Sequence, residues 1–404
     1  MEEKVKDEKQ QTIKRGDLTM LKLRSLFDKM MSVDSDQVMS VYLETDPTVI
    51  GRNRAAAQIW LKDSLKSIRN DLPQSHLKDF EKIHSNILEE AEYRISDGKS
   101  LILFSGTGFF EAAHPQIKVT NEVWWGKPSI GQLDWILEEY RNYGIIKIAS
   151  EKIHYYIIGL NEVIKEWEET ISSDTLAWQS KHLPPENIMR EKAIPGLRGG
   201  DTKEIVERHI SEEVQKFWKH CTSSIEAMKK QFHVNEIVLT GLDSQTDLFQ
   251  KCLNTNEVTV IGKIPLARES SIKEIISAAQ QIFQNFERTK EQKLIDKIIE
   301  RSATNTSASL GIKKVLKLIQ EGRSNTVAIT NGSDKILVEC NDCGYVMTKD
   351  AKECLHCISK NLRVGSMKTL IPPLLRKYKT PLNIVSDKVS DIFNKQGIGA
   401  LWRY

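Results

Sequence analysis

Four of the six cysteines in this 404-residue chain lie close together in the stretch CNDCGYVMTKDAKECLHC. Cys340, Cys343, Cys354 and Cys357 form two C-x2-C pairs that are separated by ten residues. Each C-x2-C turn aims two thiolates at one point, and a hairpin can join the pairs into a tetrahedral sulfur site. The pattern therefore predicts a structural zinc ribbon over residues 338–359, because four thiolates leave no open position for catalysis. The alternative to a zinc site is a redox function for the two C-x2-C pairs. Within a zinc site, His356 could replace one of the cysteines as a ligand.

A second candidate site is the stretch PGLRGGDTKE, residues 195–204, which precedes a helix-like pattern. The adjacent Gly199 and Gly200 lack a Cβ, so the backbone there can take unusual conformations and approach another molecule closely. The Asp201 carboxylate could act as a general base if its pKa were raised, or it could cap the following helix. Basic residues around this tip suit RNA phosphate, although ordinary surface charge is the simpler explanation of them. They are Lys181, Arg190, Lys192, Arg198 and Lys203.

The overall composition is that of a soluble globular chain with about two to four domains. Its net charge is only +3, and 40% of its residues are hydrophobic. No apolar run reaches the ~18 residues that a membrane helix needs. The start of the chain, MEEKVKDEKQQTIKRGD, has no apolar core for a signal peptide, so we expect a cytoplasmic protein without membrane contact. The isolated Cys221 is expected to be a buried small hydrophobe.

The residue patterns predict three α/β domains, the first over residues 16–142 after a charged lead over residues 1–15. Residues 38–46 alternate as in a strand, residues 52–95 have helical spacing, and residues 99–106 form a second apolar strand. Strands interleaved with helices in this order are typical of one α/β domain.

A central domain is predicted over residues 143–268. It opens with GIIKIASEKIHYYIIGL, which indicates two strands joined by a tight turn, and a polar loop then leads to the Gly-Gly tip. A long helix is expected from Lys203 onward. Two short apolar runs, 236–241 and 258–264, flank a further helix and predict a βαβ unit with parallel strands.

A C-terminal α/β domain is predicted over residues 269–404. It starts with a long helix to about Arg301, and a helix and strand follow over residues 311–330. The cysteine cluster comes next, and two more strands close the chain. The basic segment 366–380 could meet phosphate, with a solvated surface as the simpler interpretation.

This ordered series of segments resembles the archaeo-eukaryotic class I peptide-chain release factors and their relative Pelota, most closely their bacterial relatives. The resemblance runs from about Val38 to Tyr404 and implies a three-domain architecture with the zinc ribbon inserted in the C-terminal domain. The segments that carry it are VMSVYLETD, LILFSGTGFFEAAHP, NYGIIKIASEKIHYYIIGL, GLRGGDTKE, VNEIVLTGLDSQTDLFQKCL, GIKKVLKLIQEGRSNTVAIT and LNIVSDKVSDIFNKQGIGALWRY.

The resemblance implies a catalytic role for the Gly-Gly tip. In release factors the equivalent tip reads Gly-Gly-Gln and lies beside the ester that links the nascent peptide to tRNA. Gly199 and Gly200 match the two glycines of that tip, where a backbone amide would stabilise the developing oxyanion, and Asp201 stands in place of the glutamine. Asp201 departs from the motif, because a carboxylate only accepts hydrogen bonds and its oxygens retreat by roughly 1.5 Å. Either hydrolysis is retained, or Asp201 caps the helix and hydrolysis is inefficient.

The first domain lacks the Asn-Ile-Lys-Ser and Tyr-x-Cys-x-x-x-Phe segments that the family associates with stop-codon reading. The resemblance therefore implies a factor that binds ribosomal RNA and peptidyl-tRNA in the ribosomal A site without decoding stop codons. Such a factor would rescue stalled ribosomes by peptidyl-tRNA hydrolysis. The alternative is a non-catalytic binder that protects idle ribosomes or recruits another factor. A nuclease or an adaptor unrelated to peptide release is the least favoured function class, because no acidic cluster in the sequence has metal-ligand spacing. The chain has no P-loop, so a translational GTPase would be a partner.

Overall fold

The chain divides into two compact units, which we call the first and the second unit. The first contains residues up to 140 and residues from 288 onward, and the second contains residues 141–287. Two segments predicted as separate domains thus share the first unit, and the three-domain division remains a prediction. The computed structural model describes residues 19–46, 54–94, 98–149, 152–160, 162–171, 217–219, 221–253, 258–265, 271–304, 307–333, 335–386 and 388–403.

The N-terminal part of the first unit, residues 19–140, is a four-stranded antiparallel sheet with helices packed against it. The strand order is β3-β2-β1-β4, so β4 forms an edge. The two predicted strands are confirmed, whereas the predicted helical stretch is two helices that are separated at Pro73. The elements are α1 Thr19–Met31, β1 Val38–Glu44, α2 Arg54–Asp71, α3 Gln74–Arg94, β2 Ser100–Gly106, β3 Phe109–Ala113, β4 Glu122–Gly126 and α4 Gly131–Glu139.

The second unit is a five-stranded mixed sheet. Its strand order is β7-β6-β5-β8-β9, with β5, β8 and β9 parallel to one another and β6 antiparallel to both of its neighbours. The predicted strand pair and the βαβ unit are confirmed, and β7 is an additional strand where only a polar loop was expected. The elements are β5 Tyr143–Ile148, β6 Lys152–Gly159, β7 Glu162–Thr170, α5 Thr222–Phe232, β8 Glu236–Gly241, α6 Asp243–Cys252 and β9 Thr259–Pro265.

The C-terminal part of the first unit, residues 288–403, contains two sheets. One has the order β10-β16-β11-β15, with only β11 and β15 parallel, and the other is a small antiparallel sheet of order β13-β12-β14. The predicted helices and strands of this region are confirmed. The elements are α7 Ile272–Ala303 (which begins in the second unit), β10 Ala308–Leu310, α8 Ile312–Gln320, β11 Ser324–Thr330, β12 Ile336–Cys340, β13 Val346–Thr348, β14 Leu362–Ser366, α9 Met367–Lys377, β15 Leu382–Val385, α10 Asp391–Gln396 and β16 Ile398–Trp402.

The two parts of the first unit pack against each other through α4 and α9. Trp135 of α4 is 1% exposed and belongs to the same hydrophobic core as Leu370 and Leu374 of α9. Gly131 makes this approach possible, because a Cβ at that position would lie 1.9 Å from the backbone oxygen of Thr369. Helix α4 of the N-terminal part therefore also builds the core of the C-terminal part.

Gly131→Ala is expected to lower the free energy of unfolding of the first unit by about 1–3 kcal/mol, because the added methyl group must force two helices apart. Chemical denaturation of the full chain measures this change. Gly332→Ala is the matched control, since a Cβ there meets nothing within 4 Å. Equal stability of the two variants would contradict the close contact at Gly131.

Candidate functional site

The four clustered cysteines lie in the turns of the small sheet formed by β12, β13 and β14. Cys340 ends β12, and its amide donates a hydrogen bond to the carbonyl oxygen of Tyr345 at 3.0 Å. Gly344 has a φ of +71°, a left-handed conformation that glycine adopts without strain and that turns the chain back toward β13. The second turn closes through the amide of Cys354, which donates to the carbonyl oxygen of Ser359 at 2.8 Å.

The sulfur atoms of Cys340, Cys343, Cys354 and Cys357 all lie within 4.8 Å of one another. The Sγ atoms of Cys340 and Cys357 are 3.5 Å apart, as are those of Cys343 and Cys354. These separations exceed a disulfide bond of about 2.05 Å. They are close to the edge of roughly 3.8 Å that four sulfurs make around an ion at about 2.3 Å. The predicted four-cysteine cluster is therefore confirmed, and it could hold one metal ion.

His356 is not among the four clustered side chains. Its ring instead stacks on Tyr345, with 5.7 Å between the ring centroids and 18° between the planes. This stacking joins the two cysteine turns on one side, a contact that the cysteine spacing alone does not reveal.

Local hydrogen bonds prepare one of the thiols for metal binding. Burial acts to raise the pKa of Cys354, but the amides of Cys357 and His356 donate to its sulfur and lower that pKa to about 7. Desolvation raises the pKa of Cys343 to about 12. Metals bind thiolates, so a metal must displace a proton from Cys343 at neutral pH. We infer that metal affinity falls as the pH is lowered.

The residues predicted for the Gly-Gly tip, Gly199, Gly200 and Asp201, lie outside the described residues, as do the predicted RNA-binding positions Arg190, Lys192, Arg198 and Lys203. The described neighbours of this segment are β7, which ends at Thr170, and residues 217–219 with α5 beyond them. The catalytic and RNA-binding roles therefore remain predictions.

A polar cluster joins β6, β7 and α5 next to the two described ends of the segment that carries the Gly-Gly tip. The carboxylate of Glu169 accepts a hydrogen bond from the Tyr155 hydroxyl at 3.2 Å and another from the Ser224 hydroxyl. Trp167 stacks on Tyr155 with 5.0 Å between ring centroids. Burial raises the pKa of Tyr155 far above its usual value, so the hydroxyl keeps its proton and remains a donor. The cluster fixes the described flanks of the segment that carries the Gly-Gly tip.

Cys221 is fully buried beside this cluster, which confirms the sequence prediction. Burial raises the pKa of its thiol to about 12. A thiol with this pKa is a poor nucleophile and a poor metal ligand at neutral pH, so Cys221 has a packing role.

Part of the basic segment 366–380 is occupied by contacts within the first unit. Arg376 forms an ion pair with Asp134 at 2.6 Å, and its guanidinium lies 4.7 Å from the ring centroid of Phe27. The ammonium group of Lys368 lies 5.6 Å from the ring centroid of Trp135. These two cations hold the N-terminal and C-terminal parts together, a role that the charge count did not reveal.

Among the described residues, no helix combines the length and the apolar character needed to cross a lipid bilayer.

Comparison with known proteins places a family match on the second unit. The model of bacterial archaeo-eukaryotic release factor family 5 matches residues 141–281. Peptide chain release factor subunit 1 of Thermococcus sibiricus is 23% identical over 197 residues, which are 42% of this chain and 48% of that protein. The protein of the same name from Pyrococcus abyssi is 26% identical over 122 residues, which are 26% of this chain and 30% of that protein. The chain thus spans less than half the length of these curated relatives.

Two solved structures also resemble the chain across most of its length. The archaeal translation termination factor aRF1 is 13% identical, with 96% of this chain and 98% of that chain covered and a TM-score of 0.25. Dom34 of S. cerevisiae is 11% identical, with 75% of this chain and 79% of that chain covered and a TM-score of 0.39. TM-scores this low carry no functional inference.

Proposed function

We propose that this chain, a member of the release-factor and Pelota superfamily by its family-model match and its archaeal release-factor relatives, binds the ribosomal A site as a translation factor. The observation that carries this proposal is the match over residues 141–281, because that segment contains Gly199, Gly200 and the basic residues around them. The partners would be ribosomal RNA and peptidyl-tRNA, and the place of action would be the cytoplasm.

Within this function, we propose ribosome rescue by peptidyl-tRNA hydrolysis without stop-codon decoding. Gly199 and Gly200 would bring a backbone amide next to the ester, and Asp201 would accept a proton from the attacking water. A non-catalytic role in hibernation or recruitment is the second candidate. Asp201 favours that role, because a carboxylate cannot donate the hydrogen bond that the amide of glutamine offers. A translational GTPase is the expected partner in either case.

For the cysteine cluster we propose zinc as the resident metal. Four sulfur ligands within 4.8 Å of one another suit a tetrahedral, redox-inert ion. Cys340, Cys343, Cys354 and Cys357 would hold it, and with four protein ligands the ion would stabilise the ribbon without taking part in chemistry.

Cosedimentation with ribosomes at moderate salt tests the proposed binding. The chain should pellet with ribosomes, stay in the supernatant without them, and dissociate progressively as salt is raised, because phosphate contacts release counterions. Absence from every ribosomal fraction at each salt concentration would overturn the proposal.

A further inference from the structure

Glu122 joins the two parts of the first unit from the start of the edge strand β4. Its carboxylate accepts hydrogen bonds at 2.8 Å from the Ser129 hydroxyl and at 2.8 Å from the Gln132 amide, both in the N-terminal part. It accepts two more from the C-terminal part, at 2.8 Å from the Arg363 guanidinium and at 2.6 Å from the Thr369 hydroxyl. Four donors thus satisfy one carboxylate, and two of them come from more than 200 residues along the chain.

Arg363 is the central cation of this contact. Its guanidinium lies 3.7 Å from the ring centroid of Trp124 and donates to the Ser129 hydroxyl at 2.9 Å. The side chains of Arg363 and Glu122 are only 12% and 15% exposed. Because removal of one partner leaves the other charge desolvated without compensation, loss of Arg363 should weaken this contact strongly.

The cysteine ribbon holds Arg363 in place. Arg363 lies on β14, where it pairs with Glu339 of β12, and the preceding Leu362 pairs with Cys340. The carboxylate of Glu339 also lies 3.7 Å from the guanidinium of Arg363. Since Cys340 supplies one of the four clustered sulfurs, a metal that fixes Cys340 also fixes the strand pair that presents Arg363.

We propose that the four-cysteine ribbon supports a metal-dependent latch between the two parts of the first unit. The latch consists of Glu122 and Trp124 on β4, Arg363 on β14 and Thr369 on α9. With metal bound, β12 and β14 hold Arg363 against the edge of the N-terminal sheet. When the metal is lost, the strand pair loosens, Arg363 withdraws, and β4 opens.

Other contacts limit how far the latch can open. The ion pair between Arg376 and Asp134 and the packing of α4 on α9 do not involve the ribbon. Metal loss should therefore loosen β4 and the loop to α4 locally, while the two parts stay together. A metal bound in the C-terminal part would thus control how firmly β4 and the loop to α4 are held in the N-terminal part.

Hydrogen–deuterium exchange of the full chain tests this latch. We would compare zinc-loaded protein, protein stripped by a chelator under reducing conditions, and the Arg363→Ala variant in both states. Exchange at residues 122–129 should become at least about tenfold faster on stripping and in loaded Arg363→Ala, which corresponds to about 1.4 kcal/mol. Stripping Arg363→Ala should add little at these residues, because the latch is already open. Residues 101–105 of the central strand β2 report that the N-terminal sheet is intact.

Arg323→Ala is the matched control, because Arg323 also lies over a tryptophan, 5.2 Å from the ring centroid of Trp402, but within the C-terminal part. It should leave exchange at residues 122–129 unchanged. Glu122→Gln, which removes the charge but keeps the shape, replaces Arg363→Ala if that variant does not fold. Unchanged exchange at 122–129 in both latch variants would overturn the latch. Faster exchange confined to 338–362 on stripping would overturn its dependence on metal.

Discussion

Cys340→Ser is expected to lose its zinc and to unfold the ribbon. Purified wild-type protein should contain about one equivalent of zinc per chain, and the variant far less, because the substitution removes one of the four thiolates that would hold the ion. Metal binding and folding are coupled in such sites, with apparent binding free energies of about 10–16 kcal/mol in zinc-finger peptides. Leu337 and Val346, on the inner face of the ribbon sheet, belong to the main core of the C-terminal part, so the melting temperature should also fall.

Elemental analysis and thermal unfolding measure these two effects. Cys252→Ser is the matched control, since Cys252 lies outside the cluster and should keep both zinc content and melting temperature. Full zinc content in Cys340→Ser, or a melting temperature of the wild-type protein that a chelator does not change, would contradict the structural metal site.

Peptide release is the second large effect that we expect. Ribosomes that hold peptidyl-tRNA should release peptide when the native chain is added, and Gly200→Val should reduce the rate by about 100-fold or more. The reason is that a branched side chain keeps the backbone amide from the ester, and loss of one oxyanion donor costs about 10²–10³ in rate. Asp201→Gln should release peptide faster than the native chain, because an amide can both donate to and accept from the attacking water.

Gly332→Ala, in a turn of the C-terminal part, serves as the control and should release peptide at the native rate. If the native chain binds ribosomes but releases no peptide, it does not hydrolyse peptidyl-tRNA, and the non-catalytic role is favoured. Release that Gly200→Val leaves unchanged would show that the Gly-Gly tip does not catalyse it.

Local patterns predicted much of this fold. The spacing of the cysteines is enough to predict the cluster, because each C-x2-C turn is a local structure and the ligands must converge on one ion. The βαβ unit around α6 was predicted as well, since two short apolar strands around a helix pair in parallel in a known hand.

The missed strand β7 has a local cause. The register between β6 and β7 shifts between Ile157 and Ile158, which leaves Ile164 as an extra residue in β7. Such a bulge interrupts the alternation of exposed and buried side chains by which a strand is detected in a sequence. Five glutamate and lysine residues around the bulge made the segment look like a polar loop.

The contacts between the two parts of the first unit have no local signal. Arg363 and Glu122 are 241 residues apart, and nothing in either neighbourhood identifies the other. The charge of the basic segment 366–380 indicates a solvated or phosphate-binding surface, but the partners of Arg376 and Lys368 lie on α1 and α4. Long-range pairing of this kind depends on how the elements pack, which the sequence of a single chain does not reveal.

Action in the ribosomal A site is tested most directly by binding to ribosomes whose P site holds peptidyl-tRNA and whose A site is either vacant or filled by aminoacyl-tRNA. We predict that the chain pellets with vacant ribosomes and that filling the A site weakens binding by at least about tenfold, because the two ligands compete for one site. Equal binding to both kinds of ribosome, or binding to neither, would contradict a factor that acts in the ribosomal A site.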